Sequence, residues 1–324
     1  MSYSWYGKFK KPPTLVDLDV LFRSCEVSSR ICISEQRRGD VGGSPFVLRD
    51  PEGSDDLSQP FVGRFVNVYV PKKSAAGIEV TWDDEHGLRI RCLALASTED
   101  YDLALGAVRQ LIAENKRVRF TDEEDEPVNP VTMQDVYGPE FRRDQQYGGC
   151  ASLALRAEQL KKREWFVVQT PVRPFFVDST FFKVLRQGAQ RSRSSTSREP
   201  GARLTKEVLS RLKRLVALSS GPSISGVTCP SKITVTLEGH EVIGEFYSLG
   251  TKTILCQSDE HVIVSAPSER ERLVVGWEKL VAVLKKRMEW LDARQVLLPE
   301  LAKAEVKQLF AAASKKADAV YVTE

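Results

Sequence analysis

The chain is poor in the residues that carry most recognisable chemistry. It has three histidines in 324 residues. His86 and His240 are expected in turns flanked by acid and glycine, and His261 follows Asp259 and Glu260. None has a histidine partner at helical spacing and no HExxH occurs, which excludes a helix-borne zinc site of that kind. The six cysteines, Cys25, Cys32, Cys92, Cys150, Cys229 and Cys256, form no CxxC pair and no framework spacing. Reduced thiols are expected, rather than a disulfide scaffold or a zinc ribbon.

Long apolar runs are missing too. No stretch approaches the length that a membrane helix requires, about 20 residues. Met1 to Lys8 has no apolar run to serve as a secretory signal, so a cytoplasmic protein without membrane association is expected. Gly250-Thr251-Lys252-Thr253 lacks the upstream glycine of a phosphate-binding loop, and no GxGxxG follows a strand. Gly39-Asp40-Val41-Gly42-Gly43-Ser44 has Val41 where a chymotrypsin-like protease would place its serine. There is no GxSxG elbow. The sequence therefore assigns no catalytic residue, no metal ligand and no cofactor. Distant residues can still assemble a site, and a pocket gathering Glu245, Asp259 and His261 is the form an unfamiliar enzyme would take.

What is present is an ordinary globular composition, 42% hydrophobic and 28% charged with a net charge of +3. The total does not suggest a nucleic-acid binder, although charge can be segregated locally. Phe65 to Val70 is rich in β-branched and aromatic residues. Ile78, Val80 and Trp82 alternate with Glu79 and Thr81, and Leu88, Ile90, Cys92 and Ala94 alternate with Arg89 and Arg91. These are three strands of period two, with a turn at Asp83 to Gly87. Ser97 and Asp100 then occupy capping-box positions. Tyr101, Leu105, Val108 and Ile112 form one helical stripe, and Val118 and Phe120 resume the strand period.

Two segments carry a resemblance: 1–22, MSYSWYGKFKKPPTLVDLDVLF, and 93–128, LALASTEDYDLALGAVRQLIAENKRVRFTDEEDEPV. They resemble a family of uncharacterised bacterial proteins of similar length. The shared features are a helix start after a strand and an acidic loop after the next strand. Such strand-then-helix segments also look like parts of small immunity proteins of bacterial toxin systems. The resemblance implies no activity and no functional residue.

The remaining chain reads as α+β, two antiparallel meander-plus-helix domains. Residues 1–60 are largely irregular, with one helix near Leu15 to Phe22 and a candidate strand at Arg30 to Ile33. Ala151 to Arg163 reads as a helix, Trp165 to Gln169 as a strand, and Lys206 to Ser219 as a further helix. In the second half, alternation from Ile233 to Val264 suggests a meander. A Ser268/Glu271 capping box then opens a helix along Leu273, Trp277, Leu280, Leu284, Met288 and Leu291. The domain expectation is 1–186, a basic flexible linker 187–205, and 206–324.

Two charge clusters are candidate interfaces. Asp122, Glu123, Glu124, Asp125 and Glu126 follow a strand and could meet a basic surface on a protein partner. From Lys183 to Arg214, ten Lys and Arg stand against two Glu, a net +8. Arg191, Arg193, Arg198, Arg203, Arg211, Lys213 and Arg214 could contact phosphates, but no aromatic residue is interleaved in the Arg/Ser-rich part for base stacking. The leading expectation is a non-catalytic bacterial protein-interaction protein, of immunity type in one version. Nucleic-acid binding through residues 183–214 is the alternative.

Overall fold

Strands form where apolar and polar residues alternate, because successive side chains leave opposite faces. The computed structural model describes residues 2–25, 32–36, 46–47, 62, 65–115, 118–191, 200–219, 231–237, 240–257, 261–267 and 269–322. The loops expected at 38–45 and 50–53 lie outside these residues, as does Ser268. The chain divides into two compact units, Met1–Ser220 and Gly221–Glu324.

The first unit opens with β1 (Tyr3–Gly7), α1 (Leu15–Ser24), β2 (Cys32–Gln36), β3 (Phe46–Val47), β4 (Phe65–Tyr69), β5 (Ile78–Asp83), β6 (Gly87–Cys92), α2 (Thr98–Glu114) and β7 (Phe120–Asp122). The strands make one sheet in the order β3-β2-β4-β5-β6-β1-β7. Every pairing in it is antiparallel. Val66, Val68, Ile78, Val80, Leu88 and Ile90 share a core with Leu18 and Phe22 of α1 and Leu105 and Val108 of α2.

The N-terminal segment is not irregular as expected: β1 inserts between β6 and β7. Tyr3 and Trp5 enter the core, and Gly7 pairs with Phe120. A Cβ on Gly7 would stand 2.5 Å from Phe120 Cζ, so that ring occupies the space of a side chain. Between β5 and β6 the chain reverses at Asp84 to His86, and Gly87 takes a left-handed φ of 80° that glycine tolerates without strain.

The α2 capping box forms as the Ser97 and Asp100 spacing requires. Asp100 does more than cap. Its Oδ2 accepts from Ser97 N at 2.7 Å, Ala75 N at 3.1 Å and Ala76 N at 3.3 Å, which ties the β4–β5 connection to the helix start. Complete burial pushes this carboxyl above its ordinary range, against the pull of those hydrogen bonds.

The unit continues with α3 (Met133–Val136), α4 (Pro139–Gln159), β8 (Trp165–Val168), β9 (Phe175–Asp178), α5 (Ser179–Arg191) and α6 (Pro200–Ser219). Helix α4 starts well before Ala151, with Gly138 as N-cap and Pro139 in the first turn, where a missing N–H costs nothing. The flanks of the expected linker are helical: residues 187–191 complete α5 and 200–205 open α6. Val208, Leu212, Leu215 and Val216 are buried at helical spacing, and α6 packs on α4 and α5. It therefore belongs to the first unit, and the division falls after Ser220.

The second unit holds β10 (Ser231–Leu237), β11 (His240–Ser248), β12 (Thr253–Cys256), β13 (His261–Ser265), β14 (Glu271–Val275), α7 (Trp277–Leu284), β15 (Glu289–Trp290), β16 (Gln295–Leu298), α8 (Lys303–Ser314) and β17 (Ala319–Val322). The α+β class holds, but two local expectations are corrected. The sheet β10-β11-β13-β14-β17 is not a pure meander. β12 leaves to pair with β16, so β11 meets β13 in parallel. The helix expected from Leu273 to Leu291 is strand β14, helix α7 and strand β15. Leu273, Val274 and Val275 are all buried, so the strand needs no alternation. Gly276 then serves as N-cap, its N–H donating to Asp318 at 2.7 Å.

Candidate functional site

The acidic run begins on β7, whose period of two carries on past Phe120. One further step puts Asp122 on the inward face, where it is buried. Its Oδ2 accepts from the Tyr3 hydroxyl at 2.8 Å and the Tyr137 hydroxyl at 3.0 Å. Its Oδ1 accepts from the backbone N–H groups of Glu124 and Glu126, each at 3.0 Å. Four donors fill the carboxylate's acceptor sites. Burial alone would push the Asp122 carboxyl up. The bonds from Tyr3, Glu124, Tyr137 and Glu126 outweigh it and hold the group below its ordinary range. Burial and the hydrogen bond to Asp122 push the Tyr137 phenol up to about 12, and Tyr3 is raised for the same two reasons.

Asp122 thus ties the acidic loop to the body. Asp122 N donates to Glu126 O, and Val128 N to Phe120 O, closing the loop as a short hairpin. Glu123, Glu124, Asp125 and Glu126 are exposed, and none makes an ion pair among the described residues. Asp125 turns the chain at a left-handed φ of 60°, a conformation aspartate accepts more readily than most residues.

Beside this loop lies a groove of about 460 Å³, lined among others by Tyr3, Asp122, Glu124, Glu126, Met133, Tyr137, Phe141 and Gln145. Its aromatic wall is self-supporting. The Tyr3 and Phe141 centroids are 4.9 Å apart at 82°, and Tyr137 and Phe141 are 5.3 Å apart at 75°. These edge-to-face geometries are favoured by the ring quadrupoles. Trp5 backs Tyr3 and Tyr137 at 5.3 and 5.4 Å. Phe141 and Gln145 are one turn apart on α4, so both face the groove. Helix α4 is anchored by Arg142, whose Nη1 donates to Asp102 Oδ1 at 2.7 Å and whose Nε donates to Tyr137 O at 2.9 Å. Among the described residues, every charged side chain lining the groove is a carboxylate. The apolar Val136 is exposed at its edge, and so is Val131 nearby.

The basic candidates are arranged differently. Arg193 and Arg198 lie outside the described residues. Arg191 ends α5, while Arg203, Arg211, Lys213 and Arg214 are on α6. Lys213 Nζ donates to Glu99 Oε2 at 2.9 Å, and Arg211 Nε to Glu207 Oε1 at 3.0 Å. Burial would raise the Glu99 carboxyl, but its hydrogen bond with Lys213 brings it below the ordinary range. These two cations thus serve the packing of the first unit.

No enzyme-like cluster forms around His261 among the described residues. β13 pairs His261 with Gly244 and Val262 with Glu245, so Glu245 and His261 leave the sheet on opposite faces. Asp259 lies outside the described residues. His86 is exposed, with its ring 5.5 Å from Tyr6. Among the described residues, no group of three or more His, Cys, Asp or Glu side chains could hold a metal ion. No helix among them is long and apolar enough to cross a membrane.

The geometry describes an α+β protein whose first unit carries an acidic, aromatic-walled groove. Residues 50–191 match the model of a domain of unknown function, DUF4299. The match spans the acidic loop, α4 and most of the groove, but not β1, which supplies Tyr3. No curated protein and no solved structure matches the chain.

Proposed function

We propose that the chain is a non-catalytic bacterial protein-interaction protein of the cytoplasm, and that it binds a basic segment of its partner at the acidic loop. One observation carries this reading. Four exposed carboxylates lie beside an aromatic-walled groove, and no cation among the described residues lines it. Charge of one sign left uncompensated around a concave surface attracts and orients a partner of the opposite sign. An immunity-type role is one form of the proposal, with a toxin as the basic partner.

The test follows from the geometry. Asp122 must be left intact, because changing it disturbs the loop's own hydrogen bonds. The variant Glu123→Gln, Glu124→Gln, Asp125→Asn, Glu126→Gln removes the exposed charge alone. Affinity capture from the native host should yield one stoichiometric protein with the wild-type chain and lose it with the variant. Capture that is equal for both chains would refute the interface.

Nucleic-acid binding through residues 183–214 gains no support from α6, where Lys213 and Arg211 are already paired. It would require nuclease-sensitive retention of nucleic acid that falls steeply with salt.

A further inference from the structure

Away from the acidic loop, the first unit exposes an aromatic side chain beside unpaired cations. β8 and β9 form a two-stranded antiparallel ribbon. Phe166, Phe175 and Val177 take one face of it and are buried, so Trp165 and Val167 leave by the other. Trp165 is 42% exposed, high for a residue that is mostly buried in folded proteins. The Phe176 ring packs on the indole edge-to-face, with centroids 5.2 Å apart at 76°, which helps to hold it in place.

Trp165 directly follows the turn 161–164, closed by Glu164 N donating to Lys161 O at 3.1 Å. Lys161, Lys162 and Arg163 are exposed on this turn, and none makes an ion pair among the described residues. The neighbouring carboxylates are engaged elsewhere. Glu164 Oε2 accepts from Lys161 N at 2.8 Å, Glu158 pairs with Arg186 at 3.3 Å, and Asp178 Oδ1 accepts from Phe181 N at 2.6 Å. Arg163 has a left-handed φ of 73°, a conformation that glycine or asparagine adopts with less strain. The turn's backbone therefore gives no reason for an arginine at that position.

We infer that this turn and tryptophan bind single-stranded nucleic acid, with a base stacked on the Trp165 indole and the neighbouring phosphates met by Lys161, Lys162 and Arg163. Three adjacent uncompensated cations favour a polyanion. An exposed aromatic ring next to them suits a base, because every base has a π face. A duplex keeps its base faces stacked inside, so the ring selects a single strand. A lipid bilayer is the poorer match. Binding to it scales with the apolar area buried, and Trp165 is the one largely exposed apolar side chain among the described residues of this ribbon. The site is distinct from the acidic loop and from the paired cations of α6.

The test is a titration of the full chain, labelled with fluorotryptophan, with a mixed-sequence single strand of about 12 nucleotides, as DNA and as RNA. The DNA duplex and vesicles of phosphatidylserine and phosphatidylcholine are titrated alongside. A single strand should bind and move the Trp165 fluorine resonance, which is identified by its loss in Trp165→Leu. The duplex should leave that resonance in place. Trp165→Leu should bind the strand about tenfold more weakly, the effect of losing one stacked base. The variant Lys161→Gln, Lys162→Gln, Arg163→Asn should lower the slope of log affinity against log salt by about 2, since a single strand releases about 0.7 counterion per phosphate contact. Its thermal midpoint should match wild type, because the three side chains are exposed and unpaired. A preference for the RNA or the DNA strand supports the site and identifies its source.

Single strand and duplex bound alike, with the Trp165 resonance unmoved, would overturn the inference. So would binding to the vesicles without binding to either strand, or no binding to any of the probes. Strand binding indifferent to both variants would overturn it as well, by placing the contact elsewhere on the chain. Partner capture through the acidic loop should be the same for wild type and both variants, so either proposal can fail without the other.

Discussion

Replacing Asp122 with asparagine is the sharpest perturbation of this structure, because it changes charge at constant shape. The carboxylate receives Tyr3 and Tyr137 on one oxygen and the Glu124 and Glu126 amides on the other. Asparagine can keep the two backbone donors on its single oxygen. Its NH2 group then meets two phenol O–H groups, which must both turn away. Hydrogen bonds to a charged group contribute about 1.5–3 kcal/mol each, against about 0.5–1.5 for neutral ones. The four bonds share one carboxylate and are not additive, so the expected loss at neutral pH is about 2 kcal/mol. For a unit of this size that is a fall of about 4–8 °C in melting temperature.

The sign of the pH dependence follows from the depressed carboxyl. Its contribution is present above the unfolded-state value, about 3.9 for aspartate. It is lost as pH falls through the lower folded value. The wild-type advantage should therefore shrink to nothing in strong acid. Tryptophan fluorescence suits the assay, since Trp5 is buried against both tyrosines. An Asp122→Asn variant as stable as wild type at pH 7 would refute the reasoning. So would a gap that persists below the folded carboxyl's titration.

Two further perturbations probe how the groove's framework is held. Gly7→Ala drives a methyl group into the buried Phe120 ring, and should cost about 1–3 kcal/mol in urea unfolding. Adding Phe120→Leu should recover part of that loss, and strict additivity of the two changes would contradict the contact. Lys213→Met removes an ion pair whose partners are each about a third exposed, so the expected loss is below about 1 kcal/mol and shrinks in salt. An NMR titration should then show the Glu99 carboxyl moving up from its depressed value; an unmoved carboxyl would contradict the pairing.

Local signals in the sequence sufficed for β4, β5, β6 and α2, because pleat alternation and a capping box are properties of neighbouring residues. β1 escaped them. It has five residues, and its partners lie on β6 and β7, far along the chain. Only the sheet reveals why Tyr3 and Trp5 must alternate with Ser4 and Tyr6. β14 escaped for another reason. Leu273 to Val275 sits in a stretch whose apolar spacing also fits a helix, and a strand buried on both faces has no alternation to show. The marker that mattered was Gly276.

The candidate site was half visible. The acidic run stood out as charge, which hid the different task of its first member. Extending the period of Val118 and Phe120 by one step would have placed Asp122 inside. Tyr3, Tyr137, Phe141 and Gln145 had no common signature, since the groove joins β1, β7, α3 and α4 only in three dimensions. The basic run misled in the opposite direction. Its composition suggested a flexible linker over 187–205, while residues 187–191 complete α5 and 200–205 open α6.

The central claim is that the exposed carboxylates of residues 123–126 are the contact surface. It is tested most directly by measuring the affinity of the captured partner for the wild-type chain and for the four-residue neutral variant, at two salt concentrations and with matched thermal midpoints. The account predicts that the variant binds at least about tenfold more weakly at low salt, and that high salt narrows the difference. Equal affinity for the two chains at both salt concentrations would contradict it.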